Sequence, residues 1–170
     1  MGKLFGTDGV RGEANRYPMN AEIAFTLGQA IVYILKKGRY HPRIVIGKDT
    51  RISGYMLEGA FESGITSMGG NPYMLGVLPT PGIAFIAQSM RADAGIVISA
   101  SHNPYQDNGI KIFSGNGFKL SDELEYEIEQ LLDAPEDNLP RPSADGIGIA
   151  NNYPEGVQKY LEFLQKTIPT

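Results

Sequence analysis

Apolar residues along the chain change spacing several times, and the changes mark out its elements. Ile23, Leu27, Ile31 and Ile34/Leu35 recur at the interval of one helix face. Asn20 stands where an N-cap belongs, and Lys36-Lys37-Gly38 places cations and a glycine at the far end, so the pattern predicts a first helix over about 21–37. Arg43-Ile44-Val45-Ile46-Gly47 reads as a short buried strand, and the polar run Lys48-Asp49-Thr50-Arg51-Ile52-Ser53-Gly54 separates it from a second helix capped by Ser53. The inward face of that helix would be Leu57, Ala60, Phe61, Ile65 and Met68, with Gly69-Gly70 as its stop. Tyr73-Met74-Leu75-Gly76-Val77 gives the next strand. Thr80-Pro81 reads as an N-cap with proline in the first helical position, opening a helix to about Met90.

The β-branched run Ala94-Gly95-Ile96-Val97-Ile98 reads as a buried strand. Ile110-Lys111-Ile112-Phe113 alternates as another, and Asn116-Gly117 is a hairpin signal that predicts antiparallel pairing with Phe118-Lys119-Leu120. Ser121-Asp122-Glu123 opens an acidic helix to about Leu132, with carboxylates at the positive end of its dipole and an acidic face expected to be solvated. Residues 134–152 are rich in proline and glycine, which predicts loops with one short edge strand at Gly146–Ala150. A last helix over about Pro154–Lys166 carries the stripe Val157, Tyr160, Leu161 and Leu164.

Three strand-helix units leading into a fourth strand predict an α/β fold: a three-layer α/β/α sandwich around a mostly parallel, mixed sheet, forming one domain over residues 1–170. The connections after residues 47, 77 and 98 would then open on one edge of the sheet. The stop at Ile168-Pro169-Thr170, just past a helix, reads as a domain boundary, with further domains expected outside it.

Composition narrows the class without changing this picture. With 42% hydrophobic and 20% charged residues the chain is neither disordered nor fibrous. Its net charge of −4 and the lack of any basic run give no electrostatic reason to expect nucleic acid. No cysteine is present, which removes disulfides, thiolate catalysis and zinc-thiolate sites and permits a reducing cytoplasm. Met1-Gly2-Lys3-Leu4-Phe5-Gly6 lacks the apolar core of a signal peptide and no run approaches a membrane span, so a soluble cytoplasmic protein with no membrane partner is expected.

The chemistry concentrates where the 94–98 strand ends. Ser99-Ala100-Ser101-His102-Asn103-Pro104 delivers hydroxyls to the mouth of the sheet and turns at once. A serine held there is a nucleophile candidate, and it reads equally well as a turn-capping serine. Phe5-Gly6-Thr7-Asp8-Gly9-Val10-Arg11-Gly12 is a glycine-rich segment in which Arg11 offers a planar fork for a phosphate, or a solvated arginine in a plain turn. Asp49 and Arg51 read as a pair with each other.

Taken together, the octapeptide 5–12, Gly47-Lys48-Asp49-Thr50-Arg51, the serine hexapeptide and Asp107-Asn108-Gly109-Ile110-Lys111 resemble the first domain of the bacterial phosphoglucosamine mutases, in the α-D-phosphohexomutase superfamily. The hexapeptide marks the superfamily; the octapeptide and the Asp-Asn-Gly-Ile-Lys form favour the glucosamine branch over the phosphomannomutase and phosphoglucomutase branches. The resemblance implies an isomerase that interconverts glucosamine 6-phosphate and glucosamine 1-phosphate through a 1,6-bisphosphate, on the route to UDP-N-acetylglucosamine and peptidoglycan. It implies that Ser101 carries the phosphoryl group, with Arg11 and Lys111 as basic active-site positions, Lys111 as general base or phosphate contact, and His102 beside the nucleophile. It implies magnesium as well, with the Ser101 phosphate as one ligand. The family's Asp-x-Asp-x-Asp-Arg metal loop and its sugar- and phosphate-binding domains have no counterpart among these residues, so the other metal ligands are expected elsewhere, a homodimer is open, and the 170 residues alone are expected to be inactive.

Two rival classes differ in kind. A serine hydrolase would want a Gly-x-Ser-x-Gly elbow and a histidine base oriented by a carboxylate, whereas the flanks of Ser101 are Ala100 and His102, and His41 is the other histidine. A non-catalytic binding or dimerisation module is the second alternative.

Overall fold

The computed structural model describes residues 3–37, 41–134 and 138–169, so Gly38 and Pro135 lie outside the described residues. Its strands are β1 (Val10–Glu13), β2 (Arg43–Lys48), β3 (Asn71–Val77), β4 (Ala94–Ile98), β5 (Asp107–Ser114) and β6 (Asn151–Asn152). They form one sheet in the order β1-β5-β4-β2-β3-β6. β4, β2, β3 and β6 run parallel, and β5 is antiparallel to both of its neighbours, β4 and β1. The sheet is therefore mixed and mostly parallel, with β5 as the reversed strand.

Five α-helices cover it: α1 (Ala21–Leu35), α2 (Ser53–Ser67), α3 (Thr80–Ser89), α4 (Asp122–Asp133) and α5 (Glu155–Thr167). Strand alternation sorts the core into two clusters, because successive side chains point to opposite faces. On one face Ile44, Ile46, Ile96, Ile98, Ile110 and Ile112 pack beneath Leu27 and Ile31 of α1, Leu57, Phe61 and Ile65 of α2 and Ile128 of α4. On the other, Val45, Leu75 and Val97 meet Ile83, Ile86 and Ala87 of α3 and Tyr160 of α5. The second layer is shorter, since α3 lies over β2 and β4 and α5 over β3. The β1–β5 half of that face is consequently the less covered, a fact that shapes the site below.

Several local features depart from the pattern reading, each for a traceable reason. Ser53 does not cap α2: Ile52 occupies the cap position without a side-chain bond, and the Asp49 carboxylate accepts the Arg51 backbone N–H at 3.0 Å in the turn before it. The Ser53 hydroxyl instead accepts an N–H from buried Asn108 at 2.8 Å. In α3 the cap is Pro79, so Thr80 and Pro81 are already helical; proline is tolerated there because first-turn N–H groups have no intrahelical partner. Part of the glycine-rich octapeptide is strand, since after a tight turn closed by Gly6 and Gly9 the chain enters β1. The expected antiparallel pairing of 118–120 with the end of β5 is present as one bridge, Phe113 with Lys119, flanked by the Phe118 carbonyl accepting the Ser114 N–H at 2.8 Å and the Ile112 carbonyl accepting the Leu120 N–H at 3.2 Å; it is too short to count as a strand. The edge strand placed at Gly146–Ala150 is found at Asn151–Asn152, preceded by a short 3-10 turn at Ala144–Gly146. Of the α5 stripe Tyr160 is buried, whereas Val157, Leu161 and Leu164 are exposed.

The acidic face of α4 is not merely solvated. Glu125 is buried and pairs with Lys119 at 3.1 Å, and Glu129 accepts the backbone N–H groups of Leu4 and Phe5, each at 2.8 Å. The start of the chain is thus moored to a helix more than a hundred residues later. Replacing the carboxylate by Glu129→Ala is expected to cost about 1–2 kcal/mol and to speed amide exchange at Leu4 and Phe5 while α5 exchanges as before.

α1 and α2 approach at a glycine contact. A Cβ on Gly64 would stand 2.1 Å from the carbonyl oxygen of Phe25, whereas one on exposed Gly59, in the same helix, would meet nothing within 4 Å. The two sites should respond with opposite signs. Gly59→Ala gains about 1 kcal/mol of helix propensity, whereas at Gly64 that gain is outweighed by overpacking of about 1–3 kcal/mol. Thermal melts should show the Gly64→Ala midpoint below the parent and the Gly59→Ala midpoint above it.

Candidate active site

β4 ends at Ile98, and the chain reverses through residues 99–106 to return as β5. Ser99 stays in register, with its N–H donating to the Gly109 carbonyl at 2.9 Å. Its hydroxyl accepts the Ser101 backbone N–H at 3.0 Å, so the turn-capping role belongs to Ser99. Ser101 adopts φ of 55°, in the left-handed region that non-glycine residues seldom occupy, and its hydroxyl is exposed. His102 is also exposed, with Nδ1 at 3.5 Å from the Ser101 Oγ, a long contact at the limit for a hydrogen bond.

Strand parity decides where the cations stand. Val10 and Ile110 are register partners buried on the α1 face, so Arg11, paired with Gly109, projects from the opposite face. Lys111, next but one along β5 and register partner of Val97, projects from that same face. Both are half-buried, lying on the part of the sheet that α3 and α5 leave less covered. Gly109 between them is a close approach: a Cβ there would stand 2.5 Å from the Ser99 carbonyl and 3.3 Å from Cγ of Arg11. Arg11 donates from Nη1 to the Asn103 Oδ1 at 3.1 Å, which joins β1 to the serine loop. Its Nε is buried and has no partner among the described residues. Lys111 lines a pocket of about 200 Å³ with Thr7, Asp8, Gly9 and Lys119. The fold therefore gathers Arg11 and Lys111 on one face and links Arg11 to the serine loop; among the described residues no hydrogen bond joins Lys111 to that loop.

The residue that pattern reading undervalued is Arg51. It does pair with Asp49, Nε to Oδ2 at 3.0 Å. It also reaches across the sheet edge: Nη1 donates to the carbonyls of Pro104 at 2.6 Å and Asp107 at 3.0 Å, and Nη2 to those of Ser101 at 3.0 Å and Asn103 at 2.9 Å. The loop after β2 thus borders the serine loop as parallel pairing requires, an adjacency also visible in the Asp49 N–H bonded to the Ile98 carbonyl at 3.0 Å. The loop after β3 ties to Lys48, through the Leu78 N–H at 3.1 Å. A partial signal was present, since Asp49-Thr50-Arg51 follows a parallel strand, but no spacing reveals which carbonyls lie opposite.

A divalent cation has little to bind here. Among the described residues no three histidine or acidic side chains converge. Asp49 is engaged by Arg51, Asp107 accepts from Asn103 at 3.1 Å, Asp93 accepts the Arg43 N–H at 2.8 Å, and Asp8 lies in the exposed turn before β1. A larger cavity, about 560 Å³, lies between the end of α1 and residues 140–142, beside Met68 after α2, and none of the serine-loop residues lines it. No described helix is long and apolar enough to cross a membrane.

Comparisons with known proteins agree with the architecture. The family model for phosphoglucomutase/phosphomannomutase, alpha/beta/alpha domain I, matches residues 2–138. Curated relatives include the phosphoglucosamine mutase of Syntrophobacter fumaroxidans, 65% identical over 169 residues, and that of Bacillus subtilis, 56% identical over 167 residues. These alignments cover 99% and 98% of this chain and 38% and 37% of the relatives, so the chain spans well under half of their length. Among solved structures, a phosphoglucomutase/phosphomannomutase family protein from Burkholderia thailandensis superposes with a TM-score of 0.80 at 24% identity, covering 98% of this chain and 36% of that one, and shows the fold. A putative phosphomannomutase from Thermus thermophilus gives 0.76 at 27% identity, over 97% and 36%. With family model, relatives and sheet order in agreement, the chain belongs to the phosphoglucomutase/phosphomannomutase family, as its α/β/α domain I.

Proposed function

We propose that this chain is the phosphoryl-carrying domain of an enzyme that interconverts glucosamine 6-phosphate and glucosamine 1-phosphate, with Ser101 as carrier. The observation that carries the reading is the exposed Ser101 hydroxyl, held in a left-handed turn at the end of β4 and linked through Asn103 to an arginine whose Nε is buried without a partner. A buried N–H left unpaired is costly, and an anion arriving from the less covered sheet face would satisfy it. The names of the curated relatives support the hexosamine substrate over a hexose.

In this reading the phosphorylated Ser101 passes its phosphoryl group to the free hydroxyl of the sugar phosphate. The bond from phosphorus to Oγ breaks, a bond to the sugar oxygen forms, and the hydroxyl proton leaves to a base. Lys111 is our candidate for that base or for a contact to the phosphate. The resulting 1,6-bisphosphate turns over and returns its other phosphate to Ser101, which leaves the isomeric monophosphate. Arg11 neutralises oxygen charge on the transferring group, the part that phosphoryl transfer asks of a protein. His102, exposed beside Oγ, is a secondary contact. The magnesium that the family resemblance implies finds no carboxylate site among the described residues, and the Ser101 phosphate is the one ligand we assign here. Such a substrate is cytoplasmic, and we place the protein there.

The rival hydrolase reading is disfavoured by geometry, because the 3.5 Å contact from His102 to Ser101 comes with no carboxylate hydrogen-bonded to the histidine among the described residues.

Intact-mass and peptide analysis of a full-length mutase carrying this sequence, incubated with glucose 1,6-bisphosphate or its glucosamine analogue, should show a single phosphoryl group on this domain, at Ser101. In a full-length mutase that carries this sequence as its first domain, Ser101→Ala should reduce turnover to the level of the blank. It should shift stability by under about 0.5 kcal/mol, since the lost hydroxyl is exposed. Undiminished turnover would move the nucleophile elsewhere. The chain alone should give no glucosamine 1-phosphate above that control, because in-line positioning by further binding surfaces accounts for about 7–11 kcal/mol of the barrier.

A further inference from the structure

We propose that Arg51 is a positioning residue for the transfer: it sets the conformation of the Ser101 loop and takes no part in binding phosphate. The proposal rests on the reading of Ser101 as phosphoryl carrier.

A guanidinium has five N–H donors in a fixed planar fork. In Arg51 all five are in use: one on the Asp49 carboxylate and four on the backbone carbonyls of Ser101, Asn103, Pro104 and Asp107. The side chain is only 10% exposed. No donor remains for a substrate oxygen, which separates Arg51 from Arg11, whose Nε is buried and unpartnered. Two arginines at one sheet edge therefore have different employment: Arg51 is saturated by the protein, whereas Arg11 keeps an unpaired Nε.

What Arg51 holds is the segment that most needs holding. Four carbonyl oxygens from a seven-residue stretch converge on one point, where without a cation their dipoles would repel. The first of the four belongs to Ser101, whose φ of 55° is a conformation that persists only when its surroundings impose it. Turning these carbonyls onto Arg51 also keeps negative ends of peptide dipoles occupied, away from a phosphoryl group on Oγ. The fork is itself aimed: the Asp49 Oδ1 takes the Arg51 backbone N–H at 3.0 Å while Oδ2 takes Nε at 3.0 Å, and Asp49 is anchored by its N–H to the end of β4. β2 thereby dictates the geometry of the loop after β4.

The test compares Arg51→Lys and Asp49→Asn with the parent, in the full-length mutase for kinetics and in both forms for amide exchange. Lysine keeps the charge and loses the planar fork, having three donors on one nitrogen. For Arg51→Lys we expect kcat lower by about 100-fold, the scale of an ångström-sized misplacement, with KM little changed and faster exchange across residues 101–107. Asp49→Asn, the milder change, should show the same split at about tenfold, which keeps the test open should the lysine variant fail to fold. A KM that rises with kcat held would make Arg51 a phosphate ligand and overturn the proposal. Parent-like kcat would overturn it too, whether or not loop exchange accelerates. Failure of the underlying reading is seen separately: it is the case in which Ser101→Ala still turns over, while the exchange measurement on Arg51→Lys reports the clamp regardless of which residue is the nucleophile.

Discussion

The reversal between β4 and β5 is the constraint from which the site follows. Each parallel strand earlier in the chain is followed by a helix that crosses back over the sheet, and that helix covers part of a face. β4 is followed by an eight-residue turn and an antiparallel neighbour instead, so no crossover helix is spent there. Two consequences arise together. The connection is short enough to be pinned along its length by one guanidinium, and the β1–β5 half of the α3 face keeps Arg11 and Lys111 only half-buried. A fifth parallel strand in the same place would have required a long crossover and a covering helix where the cations now stand.

Charge around the serine is divided by degree of commitment. Arg51 is saturated and turned inward; Arg11 has one bond within the chain and an unpaired Nε; Lys111 lines an open pocket. An enzyme that must hold a phosphoryl group and then release it benefits from this separation, because the groups that fix the backbone need not change partners when the phosphate leaves.

The architecture was largely legible because the apolar runs at 43–47, 73–77 and 94–98 announce buried parallel strands, and the helices between them show one apolar face each. β1 was hidden within a glycine-rich segment, since four residues at an edge carry too little periodicity to declare a strand. The hairpin signal at Asn116-Gly117 was real but short: 118–120 pairs with the end of β5 in one bridge, while the longer ladders of β5 come from residues 10–13 and 94–98. Lys111 and His102 entered through the family resemblance, whereas Ser101 and Arg11 were nameable as candidates from residue type and place in the chain. Arg51 was not, because its role lies in backbone carbonyls that any residue supplies, and only the folded edge of the sheet brings them within reach. The acids of α4 escaped for a similar reason, as Glu129 binds main-chain N–H groups of the opening segment.

That mooring also sets an order of assembly during synthesis. β1 adds to the sheet against residues 107–110, and the segment before it is held by Glu129 and by burial of Phe5 in the core. At about 5–20 residues per second, a ribosome needs roughly 6–25 seconds between making Phe5 and making its anchor. Until residues 107–110 are made, the stretch bearing Arg11 has no strand to pair with, while α1, β2, α2 and β3 are already available to condense. A cation made near the start of the chain is thus seated only after β5 has been made, when the edge strand β1 closes onto it.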